Sequence, residues 1–379
     1  SVLAGHLLLS LDPRRAQSQL DAAQADVQRL SQALDELRHG ARIETIDAAR
    51  AAHAGTSLAL SYRKGYVAHA AMETHAALAD VRDGRATVWA STQTPFPTRD
   101  RVARHLGLAP AAVRVITPFL GGGFGGKSAD GQALEAARLS QLAGAPVQVA
   151  RSRDEEFFLD TFDPAAVVNV ASSVDRDGRL AWWDAIVVGS GERGTDMLYD
   201  IPYARIRVAG ASLYGGSDAA APRQPLAVGP WRAPGANMNV FAFESQVDAM
   251  AAAAGIDPVA FRLRHLSDAR MRGVVETGAA AFGWSPFSNR GGHGAGMACA
   301  LDAGTCVATF AEVSLDLSSG RVRVLRLVCA QDMGTVVNPE GARMQMEGAL
   351  TMGLGYALTE EVRFRGGNIL DRNFDRYRI

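Results

Sequence analysis

Charge of one sign, cysteine and long apolar runs are all scarce in these 379 residues, and each scarcity excludes something. A formal net charge of −1 leaves no electrostatic footprint for nucleic acid or for an anionic membrane surface. The three cysteines (Cys299, Cys306 and Cys329) cannot all pair, and none has CxxC spacing. A disulfide framework and a structural zinc site are therefore not expected, and three thiolates alone cannot hold an iron–sulfur cluster. No apolar run approaches the roughly 20 residues that span a bilayer, so no transmembrane segment is expected. The first residues carry no basic region ahead of their short apolar patch, which argues against a signal peptide. A cytoplasmic or periplasmic location is the resulting expectation. The sequence does not begin with Met and reads as a processed or partial chain.

Glycine and proline are also rare at first. Between Asp12 and Arg50 they occur only as Pro13 and Gly40. Asp12-Pro13 has the form of an N-cap followed by proline at the first helical position. Leu20, Val27 and Leu34 then repeat on one heptad position, and Ala23, Leu30 and Leu37 on another. A coiled-coil-like helix is expected within an N-terminal segment covering residues 1–54. The stretch from Gly5 to Arg42, with its Leu11-Asp12-Pro13-Arg14 step, resembles periplasmic adaptor (membrane-fusion) proteins of bacterial efflux systems. That resemblance implies a fusion or joined sequence without catalysis of its own.

From about Thr56 the texture changes to short β-rich runs: Leu58–Tyr62, Ala86–Ala90, Val113–Ile116 and Val322–Val328. Helix-like stretches, Asp130–Leu142 and Phe241–Ala254, lie between them. Such alternation indicates an α+β (mixed α/β) protein. Two domains are expected, 55–215 with the glycine loop and 216–379, the latter cut short at its C-terminus; Gly215-Gly216-Ser217 and Asn289–Gly292 read as turns.

What the chain does have is glycine in one dense run, Gly121-Gly122-Gly123-Phe124-Gly125-Gly126-Lys127, after a strand and before a helix. That order aims free backbone N–H groups and a helix dipole at an anion. Glycines suit it because a Cβ would bar close approach and because several positions need positive φ. Gly121–Ser128 also satisfies G-x-x-x-x-G-K-[ST], the Walker A pattern of a P-loop ATPase, in which Lys127 would contact phosphate and Ser128 a magnesium ion. The motif alone leaves both readings open.

Four further blocks share one order with it. His69-Ala70-Ala71-Met72-Glu73 comes first, then Trp89-Ala90-Ser91-Thr92-Gln93. Trp231-Arg232-Ala233-Pro234-Gly235 with Glu244 and Asp257-Pro258 follows. Asp332-Met333-Gly334 with Asn338-Pro339 and Gln345-Met346-Glu347-Gly348 comes last. Together these blocks resemble the large subunits of molybdenum hydroxylases, the xanthine dehydrogenase and aldehyde oxidase family, with the isoquinoline and nicotinate oxidoreductases nearest in texture.

The resemblance implies a molybdenum ion held by molybdopterin, in the cytosine dinucleotide form, with no protein side chain on the metal. It implies that Gly122, Gly123, Phe124 and Gly125 bind the cofactor, Phe124 walling the site and the N–H groups of Phe124 and Gly125 facing it. Gln345 would contact the pterin or its phosphates, Gln93 would hydrogen-bond an oxo ligand, and Arg232 would face the substrate or a cofactor oxygen. The bland alternatives are a turn cap for Gln93, a surface salt bridge for Arg232 and a solvent-facing side chain for Gln345. The implied reaction hydroxylates an electron-poor carbon of a small molecule, an N-heteroaromatic ring or an aldehyde, with water-derived oxygen. The implied partners are a small subunit carrying 2Fe–2S clusters and a cytochrome c or flavin subunit. Ser128 stands where purine-oxidising relatives have Glu, which argues against a purine. The family's "M-G-Q-G" and general-base "G-x-G-E" segments have no counterpart in these residues; Glu347, Glu360 and Glu361 match other positions. The chain alone is therefore expected neither to hold the cofactor tightly nor to turn over.

Overall fold

A computed structural model describes Ala48 and residues 55–209, 224–285 and 292–379. Strand β1 (Thr56–Lys64) and the two-residue β2 (Val67–Ala68) lead into a hairpin of β3 (Ala76–Arg82) and β4 (Arg85–Ala90). Asp83 and Gly84 close that hairpin with φ of 50° and 71°, the paired left-handed conformation that matches strand twist. Helix α1 (Pro95–Leu106) crosses over to β5 (Val113–Ile116), which runs parallel to β4. Pro95 presets the first turn of α1, and Gly107 ends it at φ 71°. Helix α2 (Gly131–Ala143) and β6 (Val147–Ala150) complete a sheet of order β5-β4-β3-β6. Alternate residues Ala77, Ala79, Val81, Ala86, Val88 and Ala90 turn inward against Val102, Ala103, Ala133, Ala136 and Ala137 of the helices. Small side chains on both faces bring helix and sheet close together. The carboxyl ends of parallel β4 and β5 therefore open side by side, as ligand-binding crevices of α/β sheets do.

A short helix, α3 (Arg153–Leu159), opens on a capping box between Ser152 and Glu155. Strand β7 (Phe162–Asp163) pairs with β2. Strands β8 (Ala166–Val174), β9 (Leu180–Val188) and β10 (Tyr203–Ala209) join β1 in a second sheet, order β1-β8-β9-β10. All of β9 but its last residue is buried, since both faces are covered. Helix α4 (Ala236–Ala254), α5 (Pro258–His265) and α6 (Ala269–Phe282) follow, then a meander of β11 (His293–Asp302), β12 (Thr305–Leu315) and β13 (Val322–Asp332). One core runs through all of these, from Val168, Val170 and Trp183 through Met238, Val247 and Met250 to Phe261 and Phe310.

Helix α7 (Pro339–Leu358) is capped by Asn338, whose Oδ1 accepts the Gly341 N–H, and none of its residues is buried. It lies over the β11–β13 sheet with a cavity of about 630 Å³ between them. The chain then returns through β14 (Phe364–Arg365) and β15 (Asn368–Ile369). Tyr377 packs beside Tyr66, Phe157 and Phe162, accepts the Ala68 N–H at 2.9 Å and donates to Glu360 at 2.7 Å.

The mixed α/β character stands. Helix α2 begins one residue later than its pattern suggests, and α4 begins five residues earlier, at Ala236 rather than Phe241. Asn237 and Asn239 conceal that start because asparagine usually marks loops. Here Asn239 is fully buried, bonded to Ser190 Oγ and to the carbonyls of Gly191 and Arg193. The coiled-coil-like helix expected within 1–54 (Ala48 apart), the domain division at 215/216 and the Gly215–Ser217 turn lie outside the described residues, as do 289–291 of the expected Asn289–Gly292 turn.

Candidate functional site

Two loops meet beyond the paired ends of β4 and β5. Gln93 follows β4 and the glycine run follows β5. Glu73 staples the run at both ends: its Oε2 accepts the Gly121 N–H and the Lys127 Nζ, each at 2.6 Å. Burial would raise the Glu73 carboxyl, but Lys127, the Gly121 N–H and the nearby His75 outweigh it and hold the group below the usual carboxylate range. Gln93 accepts the Gly125 N–H on Oε1 at 3.0 Å and donates its own backbone N–H to the Lys127 carbonyl. Its amide orientation is thereby fixed, and its Nε2 meets no acceptor among the described residues.

The glycines are a packing requirement as much as a conformational one. A Cβ on Gly125 would overlap the Pro230 carbonyl oxygen, and one on Gly123 would lie 2.6 Å from Gln93 Oε1. Gly122, Phe124 and Gly125 have φ of 98°, 53° and 116°. Phe124 is one of five non-glycine residues with positive φ among those described, and Ala70 and Ala233 are two more. Three of the five thus border this site, where backbone strain tends to be stored. The result is a concave run in which the N–H groups of Gly122, Gly123 and Phe124 donate to no acceptor among the described residues. Gly123 is buried, and a buried N–H without a partner is costly unless a ligand or water takes it.

The Pro230 carbonyl against Gly125 brings in the Trp231-Arg232 turn, which Trp231 anchors by donating Nε1 to the Ala68 carbonyl at 3.0 Å. Arg232 Nη2 donates to the Gln345 backbone carbonyl and to its Oε1, at 2.6 and 2.8 Å. No carboxylate pairs with this guanidinium among the described residues, and burial lowers its pKa. Both residues line the cavity under α7, whose other walls are largely aliphatic, with Thr305, Thr309 and Gln331 among the polar ones.

Beneath the loop are two buried histidine–carboxylate pairs. His69 Nδ1 faces Asp160 at 3.0 Å, and its Nε2 faces the Pro230 carbonyl at 2.9 Å. His75 Nδ1 faces Glu156 at 2.7 Å, and its Nε2 the Gly126 carbonyl at 3.3 Å.

Several expectations change. The Gly125 N–H, expected to face the cofactor, donates to Gln93 Oε1; among the described residues the loop N–H groups without an acceptor are those of 122–124. Gln93 does cap the loop, with its Oε1 only. Arg232 forms no salt bridge among the described residues, and Gln345 is turned to Arg232 rather than to solvent alone. The Walker A reading fails on geometry: Lys127 is 1% exposed and bound to Glu73, and α2 starts only at Gly131, after a 3-10 turn. A P-loop lysine must instead reach a phosphate from a helix that begins at the motif. Glu347 pairs with Arg343 on the surface, and Glu360 accepts from Tyr377. Sequence reasoning assigned no role to His69, Glu73, His75, Glu156 or Asp160. His69 and Glu73 stood inside a recognised block, but their partners are 91 and 54 positions away.

Two family models, each described as a molybdopterin cofactor-binding domain, match residues 32–212 and 252–379. The chain belongs to the molybdenum hydroxylase family. The first match starts inside the stretch that resembles an efflux adaptor. This hydroxylase-family chain is 28% identical over 369 residues to a nicotinate dehydrogenase subunit of Pseudomonas putida, covering 86% of the chain and 30% of that protein. It is 32% identical over 319 residues to the beta chain of isoquinoline 1-oxidoreductase of Brevundimonas diminuta, covering 78% and 39%. The chain thus spans about a third of the length of these relatives. Among solved structures, quinoline 2-oxidoreductase from Pseudomonas putida 86 superposes with a TM-score of 0.78 at 14% identity, over 88% of this chain and 68% of that one. That likeness is one of fold.

Proposed function

We propose that this chain forms the molybdopterin-binding wall of a hydroxylase acting on an N-heteroaromatic or aldehyde carbon. The observation that carries the proposal is the row of N–H groups at 122–124 without an acceptor among the described residues, beside Gln93 and, through the Pro230 carbonyl against Gly125, beside the turn that carries Arg232. A phosphate-bearing, many-acceptor cofactor suits such a surface, and added Cβ atoms at Gly123 and Gly125 would collide with Gln93 and the Pro230 carbonyl that pack against it. When bound, the molybdenum cofactor supplies the two-electron redox centre that adds water-derived oxygen to the substrate carbon. The Gly122, Gly123 and Phe124 amides would hold acceptor oxygens of the cofactor, and Gln93 Nε2 would be a further donor to it. Phe124, partly exposed, walls the site. Arg232 offers a guanidinium free of any carboxylate partner among the described residues, and its fork geometry suits an anionic oxygen. Gln345 fixes its direction.

In this reading the cofactor takes the cytosine dinucleotide form. The 2Fe–2S clusters and a further cytochrome c or flavin carrier belong to partner subunits in this reading. The nitrogen-heteroaromatic substrates in the names of relatives, nicotinate and isoquinoline, support the substrate class.

Equilibrium dialysis of the chain against molybdenum cofactor, with molybdenum per chain as the readout, tests the proposal. More metal on the parent chain than on Gly123→Ala or Arg232→Met is the expected result. Equal retention in all three, or ATP binding that disappears in Lys127→Ala, would contradict it.

A further inference from the structure

We propose that His69 stands as an imidazolium beneath the glycine loop and is a positioning residue that locks the loop to the Arg232 turn. Both ring nitrogens of His69 face groups that only accept: the Asp160 carboxylate at 3.0 Å and the Pro230 carbonyl at 2.9 Å. A neutral imidazole carries one N–H and one bare nitrogen. Either tautomer would set a lone pair against an acceptor at a side chain only 2% exposed, where an unsatisfied pairing is costly. Two N–H groups satisfy both partners.

The place of this ring gives the charge a purpose. The Pro230 carbonyl that His69 holds is the same oxygen that abuts Gly125, and Arg232 follows two residues later. On its other side the ring lies under Gly126, where a Cβ would come within 2.7 Å of Nδ1. His69 therefore touches the loop and the turn at once. The charged groups around it are few. Asp160 at the end of α3 pairs with it, and Asp163 of β7, itself held by Lys64 and Asn237, adds negative potential. His75 with Glu156 sits against the Gly126 carbonyl. Burial pulls the His69 imidazole down, but Asp160, the Pro230 carbonyl and Asp163 together leave it above the ordinary histidine value.

Loss of this proton would fall on Nε2, since Asp160 retains the Nδ1 proton. The Pro230 carbonyl then loses its donor, and the pair beneath the anion cradle changes from neutral to net negative. Both changes oppose an anionic ligand on the loop. That consequence rests on the cofactor-cradle reading, whereas the protonation and the locking do not.

Two cofactor-free measurements on the whole chain test the proposal. In 15N spectra of histidine-labelled protein, both His69 nitrogens should sit at the protonated, pyrrole-like position at neutral pH. They should titrate above the ordinary value of about 6.5, and the signals should vanish in His69→Gln. The 19F resonance of 5-fluorotryptophan at Trp231, assigned with Trp231→Phe, should move with the same midpoint and not titrate in His69→Gln. A neutral His69 at pH 7 would overturn the proposal, and so would a Trp231 signal indifferent to its titration. Failure of the chain to take up cofactor would overturn the cradle reading while leaving these two results standing.

Discussion

At the scale of single residues, the site is governed by what cannot change without strain. Gly125 combines φ 116° with the Pro230 carbonyl oxygen where a Cβ would be, whereas Gly144, at φ 62°, faces open space. Gly144→Ala should cost about 1–2 kcal/mol, the ordinary penalty for a left-handed L-residue, and Gly125→Ala clearly more; urea denaturation of both measures the difference. The Lys127–Glu73 pair obeys a different rule. Lys127 is 1% exposed, so Glu73→Ala leaves a buried ammonium unpaired and should cost about 3 kcal/mol. Replacing both, Glu73→Ala with Lys127→Met, should recover part of that loss; an additive double variant would show that the pair is not coupled. The glycines, Gln93, Arg232 and Gln345 were legible in the sequence because they lie in ordered motifs. The staple and the histidine pairs were not, because each is completed by a residue far along the chain. The Walker A likeness shows the same limit: spacing reads identically whether Lys127 reaches for phosphate or is bound by Glu73.

At the scale of elements, most strands and helices follow their sequence signals. The hairpin turn at Asp83-Gly84 and the helix ends at Gly107, Gly144 and Gly255 are glycine-marked, and the inward alternation of β3 and β4 is visible as small apolar residues. The start of α4 was hidden, since its asparagines are satisfied by tertiary partners that no local pattern announces. Helix α3 gives a pH prediction. It carries Glu156 and ends at Asp160, and so docks through both buried histidines. Burial raises Asp160, yet His69, His75 and the Thr161 N–H lower it overall. Its stabilisation is present above the unfolded value of about 3.9 and is lost as pH falls through the lower folded value. His69 is raised, so its contribution is complete below about 6.5 and is lost as pH climbs through the folded value. Urea midpoints should therefore fall on going from pH 5.5 to pH 9, and Asp160→Asn should flatten that fall. A parent chain and variant with parallel pH profiles would contradict this.

At the scale of the whole molecule, the arrangement explains how distant motifs become one surface. The core that begins at Val168 and Trp183 continues through α4 to Phe310, so the sheet of β1 and β8–β10 and the β11–β13 meander share one interior. Tryptophan fluorescence and far-ultraviolet circular dichroism should report one urea transition for that core, because Trp183 and Trp284 belong to the same packing; two separated transitions would divide it. No helix among the described residues is long and apolar enough to cross a membrane. The family was legible because five motifs keep their order along the chain, while the surface they form depends on long-range contacts, Gln93 with Gly125, Gly125 with the Pro230 carbonyl and Arg232 with Gln345. Hydrogen exchange with and without molybdenum cofactor reads the amide row itself. The 122–124 amides, exchanging freely in the chain alone, should become protected on cofactor addition, with the Arg232 turn and the Gln345 turn of α7 following. Unchanged exchange at 122–124 in a chain that has demonstrably bound molybdenum cofactor would contradict the cradle reading.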